Sequence, residues 1–457
     1  MYPPTRFTGR GIAVIGKDNS MERYREDMLR DICRLVEIPS VLEEDGSLPF
    51  GENVDRCLDA ALEMMARLGF RTKKAEDGKY GWAEIGDGPL FGVVCHLDVV
   101  PARASDGWEH DPFRPEIRDG YLCGRGVQDD KGPTVAAVYA LKSLLDEGRA
   151  LKKRVRFLFG TDEENLWRGI KAYAEREELP AEGFAPDSAF PLTYAEKGLL
   201  QVILRSKDPA PVTCSGGDSF NAVSGHALCP AVPGLEDALS ARGYAYHVDG
   251  DLLTVEGVTA HAKNPWKGVS ANLRLLRALS DAGYSCPAIR FACDTLDGKF
   301  RFEGFTDEDL SDFSGPVTVN LGKMALGSSG TEFCLDLRLP STCEKEKILS
   351  LLREKAAVYG MTVEEYDWLR PIFVPLESEL VQNLLNAYRE VTGDMETAPY
   401  ISAGATYARA FDHFVAFGAN LPGNPTSEHQ PNERVKLDSL LTAAKVYRRA
   451  FEKCVIA

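Results

Sequence analysis

In Cys95-His96-Leu97-Asp98-Val99-Val100-Pro101 a histidine closes the apolar run Leu90–His96, and the ends of buried strands are where α/β sheets present functional groups. In extended chain His96 and Asp98 share a face, because side chains repeat every second residue. The Asp98 carboxylate can then accept the second ring N–H of a metal-binding imidazole and fix its tautomer. A strand-end histidine satisfied by a carboxylate without any metal is the ordinary alternative. The turn-rich loop Gly124-Arg125-Gly126-Val127-Gln128-Asp129-Asp130 delivers two acids just before a helical run, a place where acids are ordinarily capping and dipole partners. Thr161-Asp162-Glu163-Glu164 follows another apolar run and is either a solvated turn or a concentrated proton-and-metal site. If it is extended, Glu163 and Glu164 point in opposite directions, so one can bind metal while the other faces a substrate water. Asp187 ends a short apolar stretch, and His429 lies near the C-terminus in Ser427-Glu428-His429-Gln430-Pro431-Asn432-Glu433. Each is uninformative alone. Together His96, Asp129, Glu164, Asp187 and His429 form a set of histidine and carboxylate ligands, most of them at strand ends, that suits a pair of zinc or manganese ions.

The elements that must position these residues alternate. Helical spacing over 21–37 ends at Ile38-Pro39, since proline disfavours helical geometry in the residue before it. A second helix is predicted over 53–68, strands over 80–85 and 90–96 around the turn Gly86-Asp87-Gly88-Pro89, a helix over 133–145, a strand over 154–160, a helix over 166–176 and a short strand over 183–186. Such alternation points to an α/β sheet. From Glu196 the texture shifts to strands over 199–206, 252–258, 317–324 and 332–339 with helices over 269–281 and 344–359, which reads as a separate α+β domain inserted into the first. Around Pro371 the chain returns, with a helix over 378–391, a strand over 414–417 and a closing helix over 436–453. The expected organisation is therefore a metal-binding domain from residues 1–195 and 371–457 and an inserted domain from 196–370.

Bulk properties narrow the function. A chain of 457 residues is too long for one ordinary core. Its 44% apolar and 27% charged residues are the balance of a soluble globular protein. A formal charge of −16 repels phosphate backbones and anionic headgroups, so nucleic-acid and membrane partners are excluded from the expectation. The N-terminal apolar run over 11–16 is shorter than a secretory or membrane-spanning segment. Eleven scattered cysteines without a Cys-x-x-Cys pair read as reduced core thiols. The expected location is the cytoplasm.

HLDVVPA, DGWEHDPF, GRGVQDDKGPT, GTDEE, PDSAFP, AHAKNP, LDLR, GATYARAF and EHQPNE follow one another in an order that resembles the aminoacylase and glutamate-carboxypeptidase superfamily of two-metal peptidases, most closely its PepV-type dipeptidases. The match runs from about Glu37 to the C-terminus. The resemblance implies a zinc-peptidase-like α/β catalytic domain, a mixed sheet with helices on both faces, and an inserted α+β lid domain. It implies that Asp129 bridges both ions, that His96 and Asp187 complete one site and that Glu164 and His429 complete the other. It makes Asp98 the orienting group for His96 and Glu163 the general base. It gives His261 to the oxyanion, Arg338 to the substrate carboxylate, and Asn221 and Gly404 to the substrate loops. It further implies a cis bond between Asp129 and Asp130 and closure of the lid within one chain, hence a monomer. Gln128 and the alanines flanking Gly404 depart from the pattern and bear on the side-chain pocket, while His110, His226, His247 and His413 find no place in it. The expected reaction is hydrolysis of unblocked dipeptides by a hydroxide that bridges the metals. N-acyl amino acid deacylation is the alternative with the same machinery, and an inactive metal- or peptide-binding protein is the alternative without it.

Overall fold

The computed structural model describes residues 20–44, 46 and 48–457. The apolar run over 11–16 lies outside the described residues. The chain divides into two compact units, one formed by Met1–Ala195, Ile372–Ile401 and Thr406–Ala457, the other by Glu196–Pro371 and Ser402–Ala405.

The first unit is built on a nine-stranded sheet among the described residues. Its central strands Arg154–Gly160, Leu90–His96, Glu182–Ala185 and Phe414–Ala416 run parallel, and Arg71–Lys74 and Tyr80–Ile85 extend it antiparallel on one side. Leu90–His96 is buried along its whole length, as an apolar run in the middle of a parallel sheet must be. Helices cover both faces. Tyr80 and Gly81 point to opposite sides, as successive strand residues do. The Tyr80 ring meets Tyr173 of helix Arg168–Arg176 edge-on at 5.4 Å. A side chain at Gly81 would instead lie 2.9 Å from Leu58 and 3.0 Å from Leu62 of helix Glu52–Arg67. Phe184 of the sheet stacks on Tyr447 and also meets Phe451 of the closing helix Leu437–Cys454.

The second unit is an eight-stranded sheet whose pairings are all antiparallel. Alternate residues of its central strands, such as Leu200, Val202 and Leu204 of Gly198–Ser206 and Leu335, Leu337 and Leu339 of Gly330–Leu339, enter one apolar core with helices Ala271–Asp281, Pro287–Thr295 and Lys345–Val358. The other face mixes buried apolar residues such as Leu199 and Ile203 with polar ones. It carries Gln201, whose amide donates to Asp336 at 3.3 Å, and Asn320, which stands opposite Asp336 in the next strand.

Helices Leu235–Ala241 and Pro287–Thr295 and the strand Thr362–Leu369 stand where the sequence pattern predicts no element. The helices are short, and the strand reads TVEEYDWL with most of its residues in contact with water, so its apolar alternation is weak. All eleven cysteines are unbridged. No helix among the described residues is long and apolar enough to cross a membrane.

Candidate metal centre

Three parallel strands end at one edge of the first unit's sheet, and each releases acidic or imidazole groups there. His96 is the last residue of its strand, in register with Gly160 of the neighbour. The chain leaves Gly160 directly into Thr161–Glu164. Glu182–Ala185 ends two residues before Asp187. The loop after Asp187 is tied down by Ser188 N–H to Gly418 O, at 2.6 Å, and Phe190 N–H to Asn420 O, at 2.8 Å.

Two groups result, each with one histidine and two carboxylates whose ligand atoms lie within 4.8 Å of one another: His96 with Glu163 and Asp187, and Asp129 with Glu164 and His429. Asp129 joins them. Its Oδ1 lies 2.8 Å from His96 Nε2 and its Oδ2 lies 3.1 Å from His429 Nε2. His429 Nε2 is also 3.0 Å from Glu164, and His96 Nε2 is 3.8 Å from Asp187. The five expected ligands are thus brought together, and Glu163 stands among them. The Asp129–Asp130 peptide is cis, as the resemblance implies. Asp130 accepts from the Thr134 hydroxyl at 3.0 Å and from the His96 main-chain N–H at 3.4 Å.

The electrostatics call for positive charge. Burial opposes ionisation of Asp129, yet hydrogen bonds from His429 and His96 outweigh it and hold its carboxyl well below the usual range. Burial also opposes charging of His429, but Asp129 and Glu164 together push its pKa up to about 11. His96 is raised in the same way, by Asp129 above all against its own desolvation. Burial, with neighbouring negative charge, drives Asp187 and Glu163 well above ordinary carboxyl values. One oxygen of Glu163 is buried without a hydrogen-bond partner, which is costly unless a ligand or water completes it. A hard donor set of this kind, short of cations, fits divalent metal ions.

Two expected roles take a different form. The His96 Nδ1 lies 3.0 Å from the main-chain oxygen of Asp98 and 3.8 Å from its carboxylate, so the carbonyl fixes the tautomer. The Asp98 side chain accepts the Glu164 N–H at 3.0 Å instead, and burial pushes its pKa up to about 6. The strand ends at His96, so Asp98 lies beyond the regular alternation that would set both side chains on one face. Arg338 is 2% exposed. Its fork is held by Asp336, with Nε 2.7 Å from Oδ1 and Nη2 3.1 Å from Oδ2, while Nη1 donates to Ala403 O at 2.8 Å. The bidentate partner is the protein's own, because residues two apart on one strand share a face. The LDLR motif contained that signal.

Within the second unit, His261 and Asn221 come together. Ala222 and His261 form a β-bridge, and Ala262 N–H donates to Asn221 O at 2.8 Å. Asn320 donates to the carbonyls of Phe220 and Ala222 on either side of Asn221. Lys263 N–H donates to His261 Nδ1 at 3.0 Å, which leaves the ring proton on Nε2, the tautomer able to donate to an oxyanion. Gly404 N–H donates to Ser402 Oγ at 2.9 Å, next to the Ala403 carbonyl that Arg338 holds.

Comparison with known proteins places the chain. A profile of peptidase family M20/M25/M40 matches residues 92–453. This chain belongs to that family. YtjP of Bacillus subtilis, provisionally named a dipeptidase, is 36% identical over 94% of this chain and 97% of its own. A provisionally named dipeptidase of Staphylococcus aureus strain USA300 is 33% identical over 95% and 98%. Among solved structures, human carnosine dipeptidase 1 superposes with a TM-score of 0.60 at 16% identity over 95% of this chain and 97% of its own. The di-peptidase Dug1p of Saccharomyces cerevisiae does so with 0.61 at 14% over 95% and 97%. These likenesses establish the architecture of the family, a catalytic domain with an inserted lid domain.

Sequence reasoning missed the residues that hold the Thr161–Glu164 loop. Trp167, at φ 59°, donates its indole N–H to Glu163 O at 2.7 Å. Asp162, fully buried, accepts from the Arg168 main chain and guanidinium. Tyr407 packs edge-on against Trp167 at 5.0 Å and against His96 at 6.4 Å. The pair Asp162…Arg168 was visible in the sequence as an acid and a base six apart, but nothing local links Tyr407 to either.

Proposed function

We propose that this protein is a metal-dependent dipeptidase that hydrolyses the peptide bond of unblocked dipeptides, with two divalent ions, zinc or alternatively manganese, held by His96, Asp187, Glu164 and His429 around a shared Asp129. The observation that carries the reading is Asp129 itself, one carboxylate whose two oxygens each face a different histidine. The relatives named as dipeptidases, at 33–36% identity over nearly the full chain, support the substrate class.

When bound, such ions acidify a water and polarise the scissile carbonyl. Glu163 takes the proton from the attacking water and returns it to the leaving amine. A buried carboxylate with one unpartnered oxygen beside the ligands suits that task. His261, with its proton on Nε2, meets the negative charge that develops on the carbonyl oxygen. Arg338, braced by Asp336, and the Asn221 and Gly404 segments orient the substrate's remaining groups. A cytoplasmic location belongs to the same proposal, since eleven unbridged cysteines suit a reducing compartment.

The test is turnover of an unblocked dipeptide against an N-acetyl amino acid, with added zinc or manganese and after chelation. Hydrolysis of the dipeptide alone, lost on chelation and restored by metal, is the expected result. Preference for the acetylated compound would make the protein a deacylase, and turnover of neither would make it a binding protein.

A further inference from the structure

Three motifs that the proposed chemistry does not use, DGWEHDPF, the glycine-rich part of GRGVQDD and the end of EHQPNE, meet at one buried carboxylate. Glu433 is wholly buried. It accepts from Arg125 Nη1 at 2.7 Å and from the main-chain amides of Gly126 at 3.0 Å, Gln128 at 2.8 Å and Asp129 at 3.3 Å. Its own carbonyl accepts from Gly124 N–H at 3.0 Å. Amides that converge on an anion in this way form a nest that fixes the loop's conformation. Arg125 is itself 3% exposed, with its guanidinium 5.1 Å from the ring of Trp108. Asn432 binds the other side of that segment, accepting from Glu109 N–H at 2.8 Å.

The same two loops are joined a second time from the opposite direction. Gln128, the residue before Asp129, accepts with its Oε1 from Ser427 N–H at 2.6 Å and from the Ser427 hydroxyl at 2.9 Å, and its amide donates to Pro425 O at 3.2 Å. Ser427 stands two residues before His429. His429 has φ 61°, a left-handed conformation that a histidine adopts only where its surroundings hold it.

We infer that Glu433 and Gln128 form a clasp that fastens the Asp129 loop to the His429 loop and so sets the separation of the two ligands that share one ion. Both are positioning residues, and the inference rests on the reading of Asp129, Glu164 and His429 as one ligand group. His429 is the most exposed of the ligands, with 53% of its side chain accessible, and of the five only His96 stands in a sheet strand, while Asp187 lies in the two-residue link between strands Glu182–Ala185 and Ser188–Ala189 and Asp129 and His429 lie in longer loops. The rigidity of that second pair must therefore come from contacts such as these. Loss of an outer-shell partner typically lowers metal affinity about 10–100-fold.

The experiment titrates the metal-free full-length chain with cobalt(II), following heat and the visible ligand-field bands. The wild type, Glu433→Gln and Gln128→Leu are compared, and the melting temperature of each metal-free protein is recorded alongside. The expected result is two ions bound by the wild type. Each variant should hold one ion about 10–100-fold more weakly with altered bands for that ion, and Gln128→Leu should keep the wild-type melting temperature. Wild-type affinities and bands for both ions in the variants would overturn the clasp while leaving the ligand assignment intact. Fewer than two ions bound by the wild type would overturn the ligand assignment itself. If Glu433→Gln fails to fold, Gln128→Leu decides alone, because its side chain reaches only the Pro425–Ser427 turn.

Discussion

Gly160→Ala adds a single methyl group at the strand end beside His96, and the structure says what that methyl would strike. It would stand 2.2 Å from Tyr407 Cε2, 2.7 Å from the hydroxyl and 2.8 Å from Cζ. An ordinary contact begins near 3.4 Å, so the ring must retreat by about 1.2 Å, the difference between the two. Tyr407 is 1% exposed and cannot swing into water. It is wedged against Trp167, whose indole holds the Glu163 carbonyl, and against the His96 ring. Overpacking of this kind costs about 1–3 kcal/mol. The movement passes to the proposed base and to a proposed ligand, where a misplacement of about 1 Å can cost on the order of 10² in rate. The expected outcome is therefore a loss of about 1–3 kcal/mol in urea denaturation and a fall of roughly 10²-fold in kcat/KM on a dipeptide. Tyr407→Leu, which withdraws the ring, should be less costly in the Gly160→Ala background than in the wild type, since contacting residues couple. Wild-type stability and turnover in Gly160→Ala, or strictly additive costs in the double variant, would refute the reasoning.

Glu163→Gln should retain two ions by metal analysis yet lose all but a few per cent of turnover. Because Glu163 lies within reach of His96 and Asp187, loss of one ion instead would make it a ligand. Asp129→Ala should lose metal together with activity, and two ions still bound to that variant would rule out the shared carboxylate. Lid closure within one chain predicts that Glu163→Gln protein mixed with His261→Ala protein stays inactive, and substantial recovered activity would show that His261 serves a neighbouring subunit.

The strongly periodic elements were legible. Leu90–His96, Arg154–Gly160 and the helices Glu52–Arg67, Glu379–Thr392 and Leu437–Cys454 stand within a few residues of their predicted bounds. Long apolar patterns are local signals, and the burial of a parallel strand on both faces writes itself as an uninterrupted apolar run. The strand Thr362–Leu369 was not legible, because an edge strand wet on much of its surface has little apolar alternation to show.

The sequence by itself determined the family, the inventory of ligand-capable groups and the strand ends that would carry most of them, since these depend on residue type, order and short-range spacing. Only the tertiary structure decided the partners. It gave His96 the carbonyl of Asp98 in place of its carboxylate, and it gave the fork of Arg338 to Asp336. It also set Glu433 under the amides of a loop three hundred residues earlier in the chain. A hydrogen bond is decided by distance and direction over an ångström or less. Between residues so far apart in the chain, those quantities exist only once the sheet has brought the loops to the same edge.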